Sequence, residues 1–396
     1  EGCIQVDGHS ERWLRRGFPW GYPKEITGRG KGITPGRVVK VLSPQGQELG
    51  SGIFDDGWIA LRRFCGSKER LNPALIKKRI QQAQALRDGI IEENTSTYRL
   101  AHGENDGLPG VRIDRYEAHF RVSLDSPSLL SILDPICDAI EGLYDTRAIY
   151  LAWRFDPRDR FNAKSAPSPP GLIRGHGHKG PLRVTERGLS CLVDLHGEVS
   201  VGLFSDMRDN RAWLEPYWGG QRVLNLFAHT AFFSVAAAMH GATEVFSVDL
   251  SDAYLERAEA NFIANQLDPS LHHFLRADVR KALDRFRRQG ELFNRIILDP
   301  PSFSHGPEGV MSLKRDYPGL VAASLRILEP NGWFIGALNL GEISPRDFHG
   351  WVREGAHKAG VELQLIFEGG QAADFPAATH FPEGRYLKFG VWRRVD

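Results

Sequence analysis

The stretch from Arg222 to Leu267, RVLNLFAHTAFFSVAAAMHGATEVFSVDLSDAYLERAEANFIANQL, decides the fold. It alternates two short apolar runs, RVLNLFA and EVFSVDL, with two helix-like segments, of which the second is amphipathic. The apolar runs lack a clean polar alternation, which is typical of strands buried on both faces. Similar strands and helices follow as far as GWFIGALN. Because strands that alternate with helices form parallel sheets, the sequence predicts a doubly wound α/β domain over about 182–396.

Acidic residues lie at the ends of three predicted strands. Asp249 closes the second strand, Asp278 follows the third and Asp299 follows the fourth. Ligands of open α/β sheets bind at the carboxyl ends of the strands, and an acid after the second strand commonly binds a ribose diol. A second acid can accept from an adenine amino group. Asp249 or Asp278 alone is equally consistent with a helix N-cap, but the three together favour a nucleoside-bearing cofactor.

The loop after the first strand, AHTAFF, has no glycine and lacks the G-x-G-x-x-G fingerprint. A pyrophosphate needs close approach to the backbone, so a dinucleotide is disfavoured. A cofactor without phosphates that is held by acids fits better. The sequence therefore predicts S-adenosylmethionine (SAM).

The fourth strand ends in a turn rich in proline, within RIILDPPSFSHG. Pro300 and Pro301 have no N–H groups, which suits a chain that must leave the sheet sharply. We expect backbone carbonyls of this turn to accept hydrogen bonds from a flat polar substrate such as a nucleobase. Phe303 is placed to stack on that base, and Asp299 to orient it or to take a proton.

Composition limits the class of protein only broadly. The chain has 396 residues, of which 41% are hydrophobic and 25% are charged, values typical of a globular protein. Its net charge of +1 neither requires nor excludes binding to nucleic acid. Its four cysteines form no CxxC pair and are expected to be reduced thiols. The pair His176 and His178 has no third ligand close in sequence, so no metal site is predicted. No membrane span or signal-peptide pattern is seen, and a cytoplasmic protein is expected.

The motifs resemble a known family over nearly the whole chain: the class I SAM-dependent ribosomal RNA large-subunit methyltransferases of the RlmI/RlmK type. RGFPWGY and TPGRVVKVLSPQGQELGSGIF look like the PUA-like barrel, an RNA-binding module of that family. YRLAHGENDGLPGVRIDRY is similar to its central domain, and VLNLFAHTAFF, ILDPPSFS and FPEGRYLKFGVWR to its catalytic domain. The resemblance implies a PUA-like β-barrel (1–70), a mixed α+β central domain with a linker (71–181) and a Rossmann-like methyltransferase domain (182–396).

The resemblance also assigns site residues. It places Asp299, Pro300 and Pro301 against the transferable methyl group and the target base. Residues implied in SAM binding are Arg208, Asn225, Phe227, Thr230, Asp249, Leu250, Ser251, Asp278, Val279 and Asp299. The implied partner is large-subunit ribosomal RNA, and Trp13 and Trp20, interleaved with arginines, suit RNA contacts. The sequence does not determine the oligomeric state, and a homodimer is consistent with it.

Two positions depart from the family pattern. The loop after the first strand usually carries Thr-Gly-Gly or Thr-Gly-Ser, whereas this chain has Thr230-Ala231-Phe232, which is expected either to weaken SAM binding or to rearrange the loop. Asn339 stands where cytosine-modifying members have a cysteine, so a purine nitrogen, as in guanine, is the expected target rather than cytosine C5. Asn339 is then expected to contact a base edge or to cap the strand. The alternatives are a degenerate RNA-binding protein of the same fold and a methyltransferase for a non-RNA substrate.

Overall fold

The computed structural model describes residues 2–155, 171–196, 200–301, 304–306 and 309–396. Residues 157–170 of the predicted linker and Phe303 lie outside this part of the chain. The chain forms two compact units. The first comprises Glu1–Val184, Asp194–Val201 and Ala373–Gly384, and the second comprises Thr185–Val193, Gly202–Ala372 and Arg385–Asp396.

The first unit begins with a six-stranded sheet and one helix. The elements are β1 (Gly2–Val6), α1 (Gly8–Arg15), β2 (Trp20–Gly21), β3 (Ile26–Arg29), β4 (Val38–Leu42), β5 (Glu48–Phe54) and β6 (Leu61–Cys65). The strand order is β2-β6-β5-β4-β1-β3, and only the β1–β4 pair among those described is parallel. Asp7 begins α1, because its carboxylate accepts from the backbone N–H of Ser10 at 2.7 Å. These strands agree with the small β-barrel that the family resemblance implies for the N-terminal part of the chain.

A second sheet follows, covered by two helices. Its elements are α2 (Pro73–Asp88), β7 (Thr97–His102), β8 (Val111–Tyr116), β9 (His119–Leu124), α3 (Leu133–Glu141), β10 (Ala148–Trp153) and β11 (Gly171–Gly175), with the strand order β11-β10-β9-β8-β7. The side chain of Asn72 caps α2 by accepting from the N–H of Leu75 at 2.8 Å. One apolar core joins Ile53 and Phe64 of the first sheet to Ile80 and Val122 of this layer. The first unit is thus held together by a continuous core; the predicted domain boundaries themselves stay predictions.

The second unit contains a seven-stranded sheet. Its elements, with the strand β12 that leads into it, are β12 (Leu182–Glu186), β13 (Leu189–Val193), α4 (Arg208–Leu214), β14 (Arg222–Leu226), α5 (Phe232–Met239), β15 (Glu244–Asp249), α6 (Asp252–Ala264), β16 (His273–Arg276), α7 (Val279–Gln289), β17 (Phe293–Leu298), β18 (Ser304–Gly306), β19 (Gly309–Met311), α8 (Leu313–Leu325), β20 (Leu328–Asn339), α9 (Pro345–Ala359), β21 (Leu363–Gly369) and β22 (Leu387–Arg394). The large sheet has the order β16-β15-β14-β17-β20-β22-β21, in which β22 is antiparallel to both neighbours. The predicted doubly wound domain is confirmed. No helix in the described ranges is long and apolar enough to cross a membrane.

The register of the parallel strands sets the position of the site. Leu226 of β14 pairs with Val248 of β15 and with Leu298 of β17. The next residues along these strands, Phe227, Asp249 and Asp299, are therefore neighbours at the carboxyl edge of the sheet. This is the edge at which open α/β sheets bind ligands.

Candidate active site

The loop after β14 adopts an uncommon backbone conformation without any glycine. Phe227, His229 and Ala231 have φ values of 58°, 52° and 56°, in the left-handed region that glycine adopts at little cost. Two hydrogen bonds hold the loop against β15: from the N–H of Ala228 to the carbonyl of Val248 at 2.9 Å, and from the N–H of His229 to Asp249 Oδ2 at 2.8 Å. Strained residues of this kind persist where the surroundings enforce them, commonly at ligand sites.

The side chains of Ala231 and Phe232 pack into protein. Ala231 is fully buried and packs with Ala228 and Ala258. The ring of Phe232 is 6% exposed, and its centroid lies 5.2 Å from the guanidinium carbon of Arg211. Ala231 and Phe232, which depart from the family motif, therefore place their side chains in the interior of the protein.

Two acids at this edge already bind backbone N–H groups and retain capacity for more. Asp249 accepts from His229 at 2.8 Å and from Ser251 at 3.0 Å. Asp278 caps α7, where its Oδ1 accepts from the N–H groups of Arg280 at 2.9 Å and Lys281 at 3.3 Å. An ionised carboxylate has about four acceptor sites, so neither acid is saturated by two bonds. The helix-cap role expected as the alternative for Asp278 is observed, and it does not exclude ligand binding.

His229 is a candidate site residue that the sequence analysis missed. Its ring lies between Tyr254 and Phe204, with centroid distances of 4.1 Å and 5.0 Å. Burial lowers its pKa to about 4, with a further contribution from Arg257, so the imidazole is neutral at pH 7. Its Nε2 atom is buried and has no hydrogen-bond partner among the described residues. A buried polar atom without a partner is costly, so a polar ligand that supplied one would be favoured here.

Asp299 lies beside a second acid. Burial and, to a smaller extent, the carboxylate of Asp206 raise the pKa of Asp299 to about 7, while Arg211 acts in the opposite direction. The hydroxyl of Tyr386 donates to Asp206 Oδ2 at 2.7 Å. Asp206 and Tyr386 were also missed, because both are distant from Asp299 in sequence. The Asp299 carboxyl group can therefore change protonation state near neutral pH, a property typical of functional sites.

The segment that carries Asp206 is held by a buried ion pair. Arg211 Nε and Nη2 donate to the two oxygens of Glu186, both at 2.8 Å, and Nη2 also donates to the carbonyl of Phe204 at 2.9 Å. The side chains of Arg211 and Glu186 are 5% and 3% exposed. Removing one partner of such a pair would leave an uncompensated buried charge.

Arg211→Ala is accordingly expected to lower the free energy of unfolding by about 3–5 kcal/mol. Urea unfolding of the whole protein measures this change. The matched control is Arg276→Ala, which removes an exposed ion pair with Asp252 and should cost about 0–1 kcal/mol. Equal losses in the two variants would contradict a special role for the buried pair.

The side chains of two other residues predicted to bind the cofactor make hydrogen bonds within the protein. Asn225 Nδ2 donates to Ser234 Oγ at 3.0 Å, and Thr230 Oγ1 donates to the carbonyl of Gly202. Both side chains are buried. Arg208 is the first residue of α4 and is also buried. The direct contacts of these residues with a cofactor stay predictions.

The remaining predicted residues follow the ends of the strands. Leu250 is exposed, and the hydroxyl of Ser251 caps α6 by accepting from the N–H of Tyr254 at 3.4 Å. Their neighbours along the edge are Val279 (buried), Pro300 (buried), Pro301 (exposed) and Asn339, which is exposed at the end of β20. All of them lie at or next to the carboxyl ends of parallel strands.

Known proteins match both halves of the chain. Residues 176–379 match the family of S-adenosylmethionine-dependent methyltransferases, and residues 4–65 match the PUA-like domain. Two relatives named Ribosomal RNA large subunit methyltransferase I are similar over nearly the full length. The one from Tolumonas auensis is 34% identical and covers 99% of both chains, and the one from Klebsiella pneumoniae subsp. pneumoniae is 33% identical and covers 97% of this chain and 96% of its own. The solved structure of SMU.776 complexed with SAH has a TM-score of 0.87 at 26% identity and covers 99% of both chains.

The chain is thus a SAM-dependent methyltransferase with an N-terminal PUA-like domain, and its sheet order and the acids at its strand ends agree with this class. More narrowly, the chain belongs to the ribosomal RNA large subunit methyltransferase I family. The cofactor expected from the sequence is confirmed at the level of the family.

Proposed function

We propose that this enzyme methylates a nitrogen of a guanine base in large-subunit ribosomal RNA. The observation that carries the proposal is that two sites lie side by side at the carboxyl edge of one sheet, one after β15 and β14 and the other after β17. Asp249 and the loop of His229 provide the cofactor side, and Asp299 with Pro300 provides the substrate side. The names of the relatives support ribosomal RNA as the substrate.

The cofactor side suits SAM. Asp249 retains acceptor capacity for ribose hydroxyls, and Asp278 and Val279 follow the third parallel strand, where the adenine is expected. His229 has a buried ring nitrogen, Nε2, that makes no hydrogen bond to the described residues. When bound, SAM supplies a sulfonium methyl group that a nucleophile can attack.

The substrate side lacks the group that cytosine C5 methylation requires. That reaction needs a thiolate to attack the ring. The four cysteines are Cys3, Cys65, Cys137 and Cys191, and none follows a strand of the large sheet. Burial raises the pKa of Cys137 to about 12 and raises that of Cys191 still more, so both are inert thiols. A ring nitrogen such as guanine N7 already carries a free lone pair and needs only to be positioned.

Asp299 provides that positioning. As a carboxylate it accepts two hydrogen bonds side by side, and guanine presents two adjacent donors, N1–H and the N2 amino group. Pro300 and Pro301 fix the turn that follows, and Asn339 lies at the end of the adjacent strand β20, where we propose a contact with the base edge. Asp299 therefore selects and orients the base while the attacking nitrogen keeps its lone pair.

The first unit carries an aromatic surface suited to RNA. Trp13, Phe18, Trp20, Trp58 and Tyr22, called here the aromatic ladder, have successive ring-centroid distances of 6.3, 5.8, 6.5 and 5.4 Å. Trp58 is 72% exposed and Trp13 46%. Exposed aromatic rings of this kind are platforms on which unpaired bases stack.

Trp58→Ala is expected to weaken RNA binding by about 1–3 kcal/mol, the usual worth of one stacked base. Fluorescence anisotropy with labelled ribosomal RNA fragments measures the affinity. Trp58→Phe keeps a stacking ring and should stay close to the parent protein. Because the side chain is exposed, neither change should alter thermal stability. Unchanged affinity in the alanine variant would contradict a role for the ladder.

The function is tested by incubating the protein with methyl-labelled SAM and unmodified large-subunit RNA, followed by nucleoside mass spectrometry. Label on guanosine supports the proposal. Label on cytidine, or a covalent adduct with RNA that contains 5-fluorocytidine, would overturn the guanine assignment. No transfer by a protein that binds SAH would overturn the RNA substrate. A homodimer and a cytoplasmic location stay predictions.

A further inference from the structure

The strand β22 begins beside the substrate side of the site, although its residues are distant in sequence. It is antiparallel to β20, so its first residues lie at the same edge of the sheet as the end of β20. In that register Leu387 pairs with Asn339, and Lys388 pairs with Leu338. The first residues of β22 are therefore neighbours of Asn339, for which we propose a contact with the base.

Lys388 is a buried cation whose ammonium group binds only backbone oxygens. It is 6% exposed, and its Nζ donates to the carbonyl of Tyr386 at 2.8 Å and to that of Leu340. Burial lowers the pKa of Lys388 to about 8, and the carboxylate of Glu342 acts in the opposite direction. A buried charge is costly, and an apolar side chain of similar length would fill the same volume without this cost. Packing alone thus does not account for a lysine at this position.

The turn after β20 is held by that ammonium group. Leu340 directly follows Asn339, and its carbonyl also accepts from the N–H of Ile343 at 3.1 Å. The side chains of Leu340 and Ile343 pack against the apolar core that includes residues of α8 and α9. One carbonyl oxygen therefore receives two hydrogen bonds, and both hold the backbone that carries Asn339.

Tyr386, two residues before Lys388, holds another segment of the substrate side. Its hydroxyl donates to Asp206 Oδ2 at 2.7 Å, and Asp206 is the acid that acts on Asp299. The beginning of β22 thus contacts the segment beside Asp299 through one side chain and the turn after Asn339 through another.

We propose that Lys388 is a positioning residue, which holds the backbone after β20 so that Asn339 lies against the base that Asp299 binds. The inference rests on the proposed function, because it concerns how the base is held. The cofactor side follows β14 and β15, which are separated from β22 by β17 and β20. Loss of the ammonium group should therefore impair methyl transfer and leave SAM binding in place.

The first experiment measures the hold itself and needs no RNA. Hydrogen–deuterium exchange is followed in the full chain, in Lys388→Met, which keeps a long side chain without a donor, and in the control Lys358→Met. The control removes an exposed lysine of α9 that pairs with Glu354. Exchange in residues 339–344 should become at least severalfold faster in Lys388→Met and stay at the parent's rate in the control. Unchanged exchange in this segment would overturn the role of Lys388.

The second experiment asks whether Lys388 acts through Asn339. Single-turnover rates with saturating SAM and RNA are compared for Lys388→Met, Asn339→Ala and the double variant. Lys388→Met should lower the rate by roughly 10–100-fold, because a small displacement of a positioning group is enough for such a loss. In the Asn339→Ala background it should cause little further loss, and SAH affinity should stay close to that of the parent protein. Additive losses, or weaker SAH binding, would contradict the proposal.

A second variant keeps the test decisive if Lys388→Met does not fold, which thermal unfolding with and without SAH reveals. Lys388→Gln has a neutral donor on a shorter side chain and passes through the same two experiments. Its loss of rate should be smaller and should likewise vanish in the Asn339→Ala background. Failure of the proposed function would appear separately, as absent methyl transfer by the parent protein, whereas the exchange result does not depend on RNA.

Discussion

Asp299→Asn is expected to reduce methyl transfer by roughly 10²–10⁴-fold while SAH binding stays close to that of the parent protein. An asparagine keeps the shape of the side chain but replaces one acceptor oxygen with a donor NH₂ group. That donor would face a donor of guanine, so the base would be held poorly or in another orientation. Single-turnover rates with saturating SAM and RNA measure the loss without interference from product release.

The pH dependence gives this prediction a second readout. The pKa of Asp299 is raised to about 7, and the proposed role requires the carboxylate. The single-turnover rate of the parent protein should therefore rise as pH increases through about 7 and level off above it. A rate that falls over this range would mean that the protonated form is the working one, and would contradict the acceptor role.

Stability should change in the opposite direction. The ordinary pKa of an aspartate is about 3.9, so between that value and about 7 the folded protein binds a proton that the unfolded chain has released. Stability of the parent protein then falls as pH rises through this window, and Asp299→Asn lacks this loss. The variant should be at least as stable as the parent at pH 8 and yet nearly inactive.

The matched control is Asp252→Asn, which changes an exposed acid in the first turn of α6. It should affect neither the rate nor its pH dependence. If both variants lost activity equally, the loss would reflect general charge and not the position of Asp299.

Local patterns were enough to predict the fold of the second unit. Apolar runs and the acids that follow them identified β14, β15 and β17 and the edge at which Asp249 and Asp299 lie. The antiparallel strand β22 between β20 and β21 carries no such signal, because strand order depends on long-range pairing. The family resemblance covered the segment FPEGRYLKFGVWR, which contains β22, but did not give the place of this strand in the sheet.

The electrostatics of the site could not be predicted in the same way. Asp206, which accepts a hydrogen bond from Tyr386, acts on Asp299 from a segment distant in sequence, and a pKa depends on burial that only the folded chain defines. The expectation for the loop was also incomplete. Ala231 was expected either to weaken SAM binding or to rearrange the loop, and the structure shows that its side chain is buried with Ala258. No sequence pattern pointed to His229, because it is a candidate only through its buried Nε2 atom, which has no hydrogen-bond partner among the described residues.

Asp249→Ala is expected to weaken SAH binding by at least about 10²-fold, because two hydrogen bonds to a charged group contribute roughly 1.5–3 kcal/mol each. Calorimetric titration of the full protein measures the change. Two different causes would produce this loss. One cause is the loss of Asp249 as a ligand for the ribose. The other is its loss as the acceptor that holds the N–H of His229 and, with it, the strained loop.

A cycle that combines the variant with a changed ligand separates the two causes. The parent protein is titrated with SAH and with its 2′-deoxy analogue, and Asp249→Ala with the same pair. If Asp249 binds the ribose, the parent discriminates between the two ligands and the variant does not. If Asp249 only supports the loop, the variant binds both ligands more weakly but keeps the discrimination. His229→Phe removes the unpartnered ring nitrogen and leaves the backbone N–H on Asp249, so it should weaken both ligands equally and retain the parent's discrimination. Loss of discrimination in His229→Phe would instead place the ribose against the imidazole.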